Sequence, residues 1–236
     1  GLIHDQRLVG QHTLTGLQLA AAHFRGLGYR RFVYKPVPHF YQRVPAQDDL
    51  YALFRAGARR VRCDLSSTID LTHRRAVASR RRRGVAKAHK AGVSLSGQPD
   101  LQALWRVLQE NLANKHGARP VHTLTEIALL IERFPDNIQV LVAQLEGRVV
   151  AGVVLFITPR VWHAQYIASD ELGRKACALD LLFEHAIARA TEAHARWFDF
   201  GISNEQNGQV LNEGLYEFKT EFGGGGTVHE IYELAL

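Results

Sequence analysis

The sequence of 236 residues has no methionine and only two cysteines, Cys63 and Cys177. Two isolated cysteines without a CxxC pair make neither a disulfide framework nor a zinc site, and they favour a reducing, cytoplasmic setting. The chain begins at Gly1 without an initiator, so it reads as a fragment or processed form whose upstream part has been removed. Residues 1–16 are interrupted by Asp5 and Arg7 and lack the apolar centre of a signal peptide. No run of about 18 apolar residues occurs, so no membrane-spanning helix is expected. Proline is scarce, at 7, and glycine is ordinary, at 20, which excludes collagen-like and low-complexity chains. With 46% hydrophobic and 22% charged residues, the chain is globular and long enough to bury a core without disulfides.

Acidic residues are missing from one stretch. Between Asp70 and Asp100 there are none, while Arg74, Arg75, Arg80, Arg81, Arg82, Arg83, Lys87 and Lys90 supply eight of the 29 basic residues. The remainder holds 21 basic against 23 acidic residues, so the net charge of +6 belongs to a single segment. That segment, THRRAVASRRRRGVAKAHKAG, predicts a helix over 71–91 that stops at Gly92, with Gly84 weakening it by about 1 kcal/mol relative to Ala. At helical spacing Arg74 and Arg81 share a stripe with Val77, Ala78, Val85 and Ala88. A guanidinium on a packing face needs an anionic partner, so these two are candidates to enter a cleft and hold a phosphate-bearing substrate. A solvated cationic face and nucleic-acid binding are the competing readings.

Along the chain, periodicity predicts a helix over 17–27, a strand in RFVYKPVPHFY, a helix ending at Gly57 and a strand in RRVRCDLS. After Pro99 come a helix at 100–114 and a second at 123–133, the latter opened by a Thr123-x-x-Glu126 capping box. IQVLVAQL, VVAGVVLFI and VWHAQYIA form an antiparallel meander. A helix (ACALDLLFEHAIARATEAHA), a strand (RWFDFGI), an acidic helix (LNEGLYEFKTEF), four glycines and a last strand follow. The order α, β, α, β over 17–65 recurs in 175–236.

That order, with the stretches ASRRRRGVAKAHKAGV, WFDFGIS and GLYEFKTEFGG, resembles the Fem-type branch of the Gcn5-related N-acetyltransferase superfamily. The resemblance covers most of the chain. It implies an α/β (α+β) fold of tandem acyltransferase domains, each a mixed, mostly antiparallel sheet flanked by helices. Residues 1–60 would be the closing half of a partial first domain and 61–236 a complete second one. It also implies transfer of an acyl or aminoacyl group from acyl-CoA or aminoacyl-tRNA to an amine-bearing acceptor, such as a cell-envelope precursor. A CoA-dependent acetyltransferase of small amines and a non-catalytic nucleic-acid-binding module, with tRNA a possible partner of either basic reading, are the alternatives. In acetyl-CoA members a Gln/Arg-x-x-Gly-x-Gly/Ala turn cradles the pyrophosphate. The matching stretch here is Asp170-Glu171-Leu172-Gly173-Arg174-Lys175-Ala176, which leaves Gly173, Arg174 and Lys175 as cofactor candidates behind two repelling carboxylates.

Acyl transfer to an amine requires a path for the amine proton, stabilisation of an oxyanion and positioning of two reactants. Strand alternation places His163 and Gln165 on one face of VWHAQYIA, opposite Trp162, Ala164 and Tyr166. His163 is a candidate base and Gln165 its orienter, against the alternative of hydrogen-bonded structural groups. Asp199 lies between two phenylalanines and is either catalytic or paired with Arg196 or Lys219. Ser203, Asn204 and Asn212 border the strand-to-helix junction as acceptor-binding or capping residues. The resemblance places Lys219 on the Lys of the family's Phe-Lys pair, implicated in stabilising charge at the reacting carbonyl. It places Tyr216 near the proton-donating tyrosine of many members, with core packing as the competing role. His116 and His122 read as loop and cap residues, and no metal ligand set is expected.

Overall fold

The computed structural model describes residues 1–5, 7–96, 100–116 and 120–236, with backbone alone for 114–116. The reading of His116 therefore lies outside the described side chains. The elements are α1 (Gln11–Gly26), β1 (Arg31–Tyr34), α2 (Asp48–Arg55), β2 (Arg59–Asp70), α3 (Ser79–Lys90), β3 (Ser94–Leu95), α4 (Leu101–His116) and α5 (Leu124–Arg133). There follow β4 (Ile138–Leu145), β5 (Arg148–Ile157), β6 (Val161–Ser169), α6 (Glu171–Lys175), α7 (Ala178–Glu192), β7 (Trp197–Ile202), β8 (Asn204–Glu205), β9 (Val210–Leu211), α8 (Glu213–Thr220) and β10 (Gly225–Ala235). The longer elements keep the order that periodicity predicts. The capping box is present in full, with Glu126 N–H donating to Thr123 Oγ1 and Thr123 N–H to Glu126 Oε2.

The chain divides into two compact units, and the division does not fall at residue 60. The first comprises Gly1–Ser66, Ile202–Tyr216 and Gly226–Leu236; the second comprises Ser67–Gly201 and Glu217–Gly225. The C-terminal strand causes the difference. β10 pairs antiparallel with β1, from Arg31↔Ala235 to Tyr34↔Tyr232, and so joins the N-terminal unit. Strands of that unit run in the order β1-β10-β2, over a small core of Leu17, Tyr34, Ala52 and Leu53.

In the second unit the strand order is β7-β6-β5-β4-β3, antiparallel throughout except for the parallel pair β6 and β7. This is the mixed, mostly antiparallel sheet flanked by helices. Two apolar layers sandwich it. One joins α7, through Leu182, Phe183, Ala186 and Ile187, to Val153, Leu155, Trp162 and Ala164. The other joins Leu104, Trp105 and Leu108 of α4 and Ile127 of α5 to Val140, Val154, Tyr166 and Ala168.

Those memberships correct the expected faces of β6. Val154 is opposite Tyr166 and the next residue, Leu155, is opposite Ala164, which leaves Gln165 as the extra residue of a β-bulge. A bulge shifts strand alternation by one residue. Trp162 and Ala164 consequently pack with α7, whereas Tyr166 packs with α4.

The basic segment is also not a single helix. Asp70 accepts from the Thr72 N–H and only one 3-10 turn, Leu71–His73, forms there. Residues 74–78 are non-helical, and α3 starts at Ser79. Arg75 N–H donates to Gly223 O at 3.1 Å and Ala78 N–H to Glu221 O at 2.9 Å, so this backbone is bonded to the turn that follows α8 instead of to its own helix. Gly84 has a packing reason: a Cβ there would overlap the Asp180 carboxylate of α7.

Candidate active site

The parallel pairing of β6 with β7 runs Val161↔Trp197, Trp162↔Phe198 and His163↔Asp199 and ends there, although β6 continues to Ser169 and β7 to Ile202. The bulge at Gln165 follows immediately. His163 and Asp199 are thus the last paired residues before the two central strands part.

Asp199 is fully buried, and its two oxygens have different partners. Oδ2 lies 2.7 Å from His163 Nδ1. Oδ1 accepts from Thr68 Oγ1 at 3.0 Å and from Gly201 N–H at 3.3 Å. A carboxylate only accepts, so in the neutral imidazole the proton is on Nδ1 and Nε2 is left as a base. The expected ion pair of Asp199 with Arg196 does not form, since Arg196 reaches Asp70 instead at 3.4 Å. Gly201 has φ of +76°, a left-handed conformation suited to glycine.

Lys219, on α8, is 3% exposed, and its Nζ donates to Gly201 O at 3.0 Å. Burial lowers its pKa to about 8, and the charge of Asp199 opposes that shift. The backbone of Gly201 therefore joins the two halves of the site, its N–H serving Asp199 and its carbonyl serving Lys219. Together the three side chains present a base, its orienting carboxylate and a cation poised near neutrality. That set suits proton removal from an amine and charge stabilisation at a carbonyl. Sequence reasoning missed Thr68 and Gly201. The run Ser66-Ser67-Thr68, buried within β2, was the available signal, because polar side chains inside a strand demand partners.

The remaining candidates do not gather at this point of the second unit. Gln165, half-buried, occupies the bulge. Ser203, Asn204, Asn212 and Tyr216 belong to the first unit. There Asn204 Oδ1 accepts from Leu65 N–H, and Asn212 caps α8 by accepting from Leu215 N–H at 3.0 Å. Arg74 donates from Nε to Phe222 O at 2.9 Å and pairs with Glu184 at 3.3 Å. Arg81 pairs with Asp180 at 2.9 Å and Glu221 at 3.1 Å, so the anionic partners of both arginines are the chain's own carboxylates.

The α6 turn is where a CoA pyrophosphate would need free N–H groups. Asp170 caps this helix, its Oδ1 accepting from Gly173 N–H at 2.8 Å. Arg174 is held on Ser169 O at 2.6 Å and Lys175 on Glu171 at 2.7 Å. The Gly173 N–H already serves a carboxylate, and Asp170 and Glu171 place two negative charges at the turn, which disfavours a pyrophosphate there. Among the described residues no group of three His, Cys, Asp or Glu could hold a metal ion, and no helix is long and apolar enough to cross a membrane.

The sheet lies between two helical layers, and its parallel central pair parts after His163 and Asp199. Residues 72–220 match the acetyltransferase (GNAT) domain family, and the chain belongs to it. Among solved structures, FemX is similar at 13% identity with a TM-score of 0.68, over 94% of this chain and 76% of that one. The C-terminal domain assigned to a lysylphosphatidylglycerol synthetase of Agrobacterium fabrum is similar at 14% identity and a TM-score of 0.67, over 97% and 75%. A tandem GNAT protein of the clavulanic acid pathway is similar at 13% identity and 0.52, over 98% and 71%. None of the curated proteins compared with the sequence matches it. These likenesses are likenesses of fold.

Proposed function

We propose that the protein transfers an aminoacyl or related acyl group to the amine of a polar, phosphate-bearing acceptor such as a cell-envelope precursor, in the cytoplasm. The observation that carries the reading is the buried Lys219 amine on the Gly201 carbonyl, adjoining the His163–Asp199 pair where β6 and β7 part. The acceptor nitrogen attacks the carbonyl carbon of the activated donor. His163 Nε2 removes the proton that the nitrogen sheds as the C–N bond forms, while Asp199 holds the ring. The Lys219 ammonium stabilises the oxyanion, which collapses as the leaving group departs. Aminoacyl-tRNA is the preferred donor because Asp170 already holds the Gly173 N–H that acyl-CoA would need. Similarity to FemX and to a domain named for lysylphosphatidylglycerol synthesis supports aminoacyl transfer. Cys63 and Cys177 are both free thiols, which accords with the cytoplasmic assignment.

The test presents the chain with charged tRNAs or acyl-CoAs together with amine acceptors and identifies products by mass spectrometry. Lys219→Ala should lower transfer by about 10²-fold or more, the usual scale for losing one charge-stabilising donor, while leaving the protein folded. Transfer at the wild-type rate would overturn the assignment of this site.

A further inference from the structure

Four residues of the basic segment, Arg74, Arg75, Arg80 and Arg81, contact the stretch of chain that carries Lys219, while Arg82, Arg83, Lys87 and Lys90 are exposed. Arg74 Nε donates to Phe222 O at 2.9 Å, Arg75 N–H to Gly223 O at 3.1 Å and Arg75 Nη1 to Gly224 O at 3.2 Å. Ala78 N–H donates to Glu221 O at 2.9 Å. Arg80 bridges Glu217 at 3.1 Å and Glu221 at 3.0 Å. Arg81, 13% exposed, pairs with Glu221 at 3.1 Å and lies over the Phe218 ring at 4.7 Å from its centroid.

Physical need for such a grip is evident in α8 itself. Glu213–Thr220 makes eight residues, well short of the length at which a helix is stable alone. Glu217 and Glu221, four apart, are like charges that repel; Arg80 bridges the two and Arg81 supplies a second cation at Glu221. Gly223 allows the backbones to meet: its φ is +98°, and a Cβ there would overlap Arg75 O. Arg81 reaches further, to Asp180 on α7 at 2.9 Å, a carboxylate that lies against α3 only because residue 84 is glycine. The end of α8 is in this way tied to α3 and, through Arg81, to α7.

From these contacts we infer that residues 74–81 are a positioning clamp, with Arg81 its central member, that holds Lys219 buried against the Gly201 carbonyl. The inference rests on the reading of Lys219 given above. It reassigns the arginines from binding an external phosphate to ordering the catalytic lysine. Loss of the Arg81 guanidinium leaves Glu221 with Arg80 alone and uncovers the Phe218 ring, which loosens the α8 end and lets water reach Nζ.

The test reads Lys219 directly, without turnover. Trace labelling of the folded chain with acetic anhydride over a pH series, followed by peptide mass spectrometry, gives the midpoint at which the Lys219 amine becomes reactive. In Arg81→Gln that midpoint should rise by about one pH unit as burial is relieved, and Arg81→Lys should restore part of the shift. An unchanged midpoint in folded Arg81→Gln overturns the clamp. If Arg81→Gln does not fold, Arg80→Gln, altered at a half-exposed side chain, is read the same way: a smaller upward shift supports the clamp and an unmoved midpoint overturns it. A Lys219→Ala chain that still transfers at the wild-type rate overturns the role of Lys219 itself, and does so in a separate measurement.

Discussion

Lys175 and Lys219 sit in the same unit of the molecule, each at a helix where the sequence suggests acyl-transfer chemistry, and their surroundings differ in every respect that matters. Lys175 is 70% exposed and spans one turn to Glu171 at 2.7 Å. Water screens both partners, so the pair contributes little. Lys219 is 3% exposed and meets a backbone carbonyl, with the buried Asp199 as the opposing charge. Desolvation there destabilises the ammonium and brings its proton within reach of neutral pH. Residue type is the same at both positions; depth of burial sets them apart.

Three changes test that contrast. The largest effect should come from Asp199→Asn, which keeps the shape of the site but removes the carboxylate that fixes the His163 tautomer; transfer should fall by about 10²-fold or more in steady-state rates. Unaltered rates would mean that the His163–Asp199 pair is structural. Next is pH. If the ammonium form of Lys219 stabilises the oxyanion, the rate should fall as pH rises past about 8, by about tenfold per unit once the group is deprotonated. Folding stability should move the other way. The folded-state pKa lies below the unfolded value, so the unfolded chain binds more protons between about 8 and 10.5 and stability rises with pH across that window. Rate and denaturation profiles that shift together above pH 8 would contradict the role given to Lys219. The smallest effect belongs to the α6 turn. Asp170→Ala removes a helix cap and should cost about 1 kcal/mol in chemical denaturation, with no loss of transfer; a large drop in rate would show the turn to be part of the catalytic machinery.

How much of this was legible beforehand varied with the range of the interaction. The capping box at Thr123 and Glu126 is local, and the spacing alone located the start of α5. The meander of β4, β5 and β6 followed from strand alternation. Gln165 was misplaced, because a bulge is decided by the register against β5 and period-two counting cannot detect it. Arg74 was misplaced for a similar reason: its segment trades helical hydrogen bonds for bonds to Glu221 and Gly223, about 145 residues away along the chain. Gly84 looked like a weak point in a helix until Asp180 was seen to occupy the space of its missing Cβ.

The sequence by itself determined the element order and the concentration of charge in one segment, and it nominated His163, Asp199, Lys219 and Tyr216 as catalytic candidates. Those depend on periodicity, composition and motif, which are properties of neighbouring residues. Only the tertiary structure decided that His163 and Asp199 meet at the last paired register of parting strands, that Lys219 is desolvated, and that the arginines face the chain's own carboxylates. Burial and ion pairing join residues remote in sequence, and a charged side chain has no fixed electrostatic character until its neighbours in space are set.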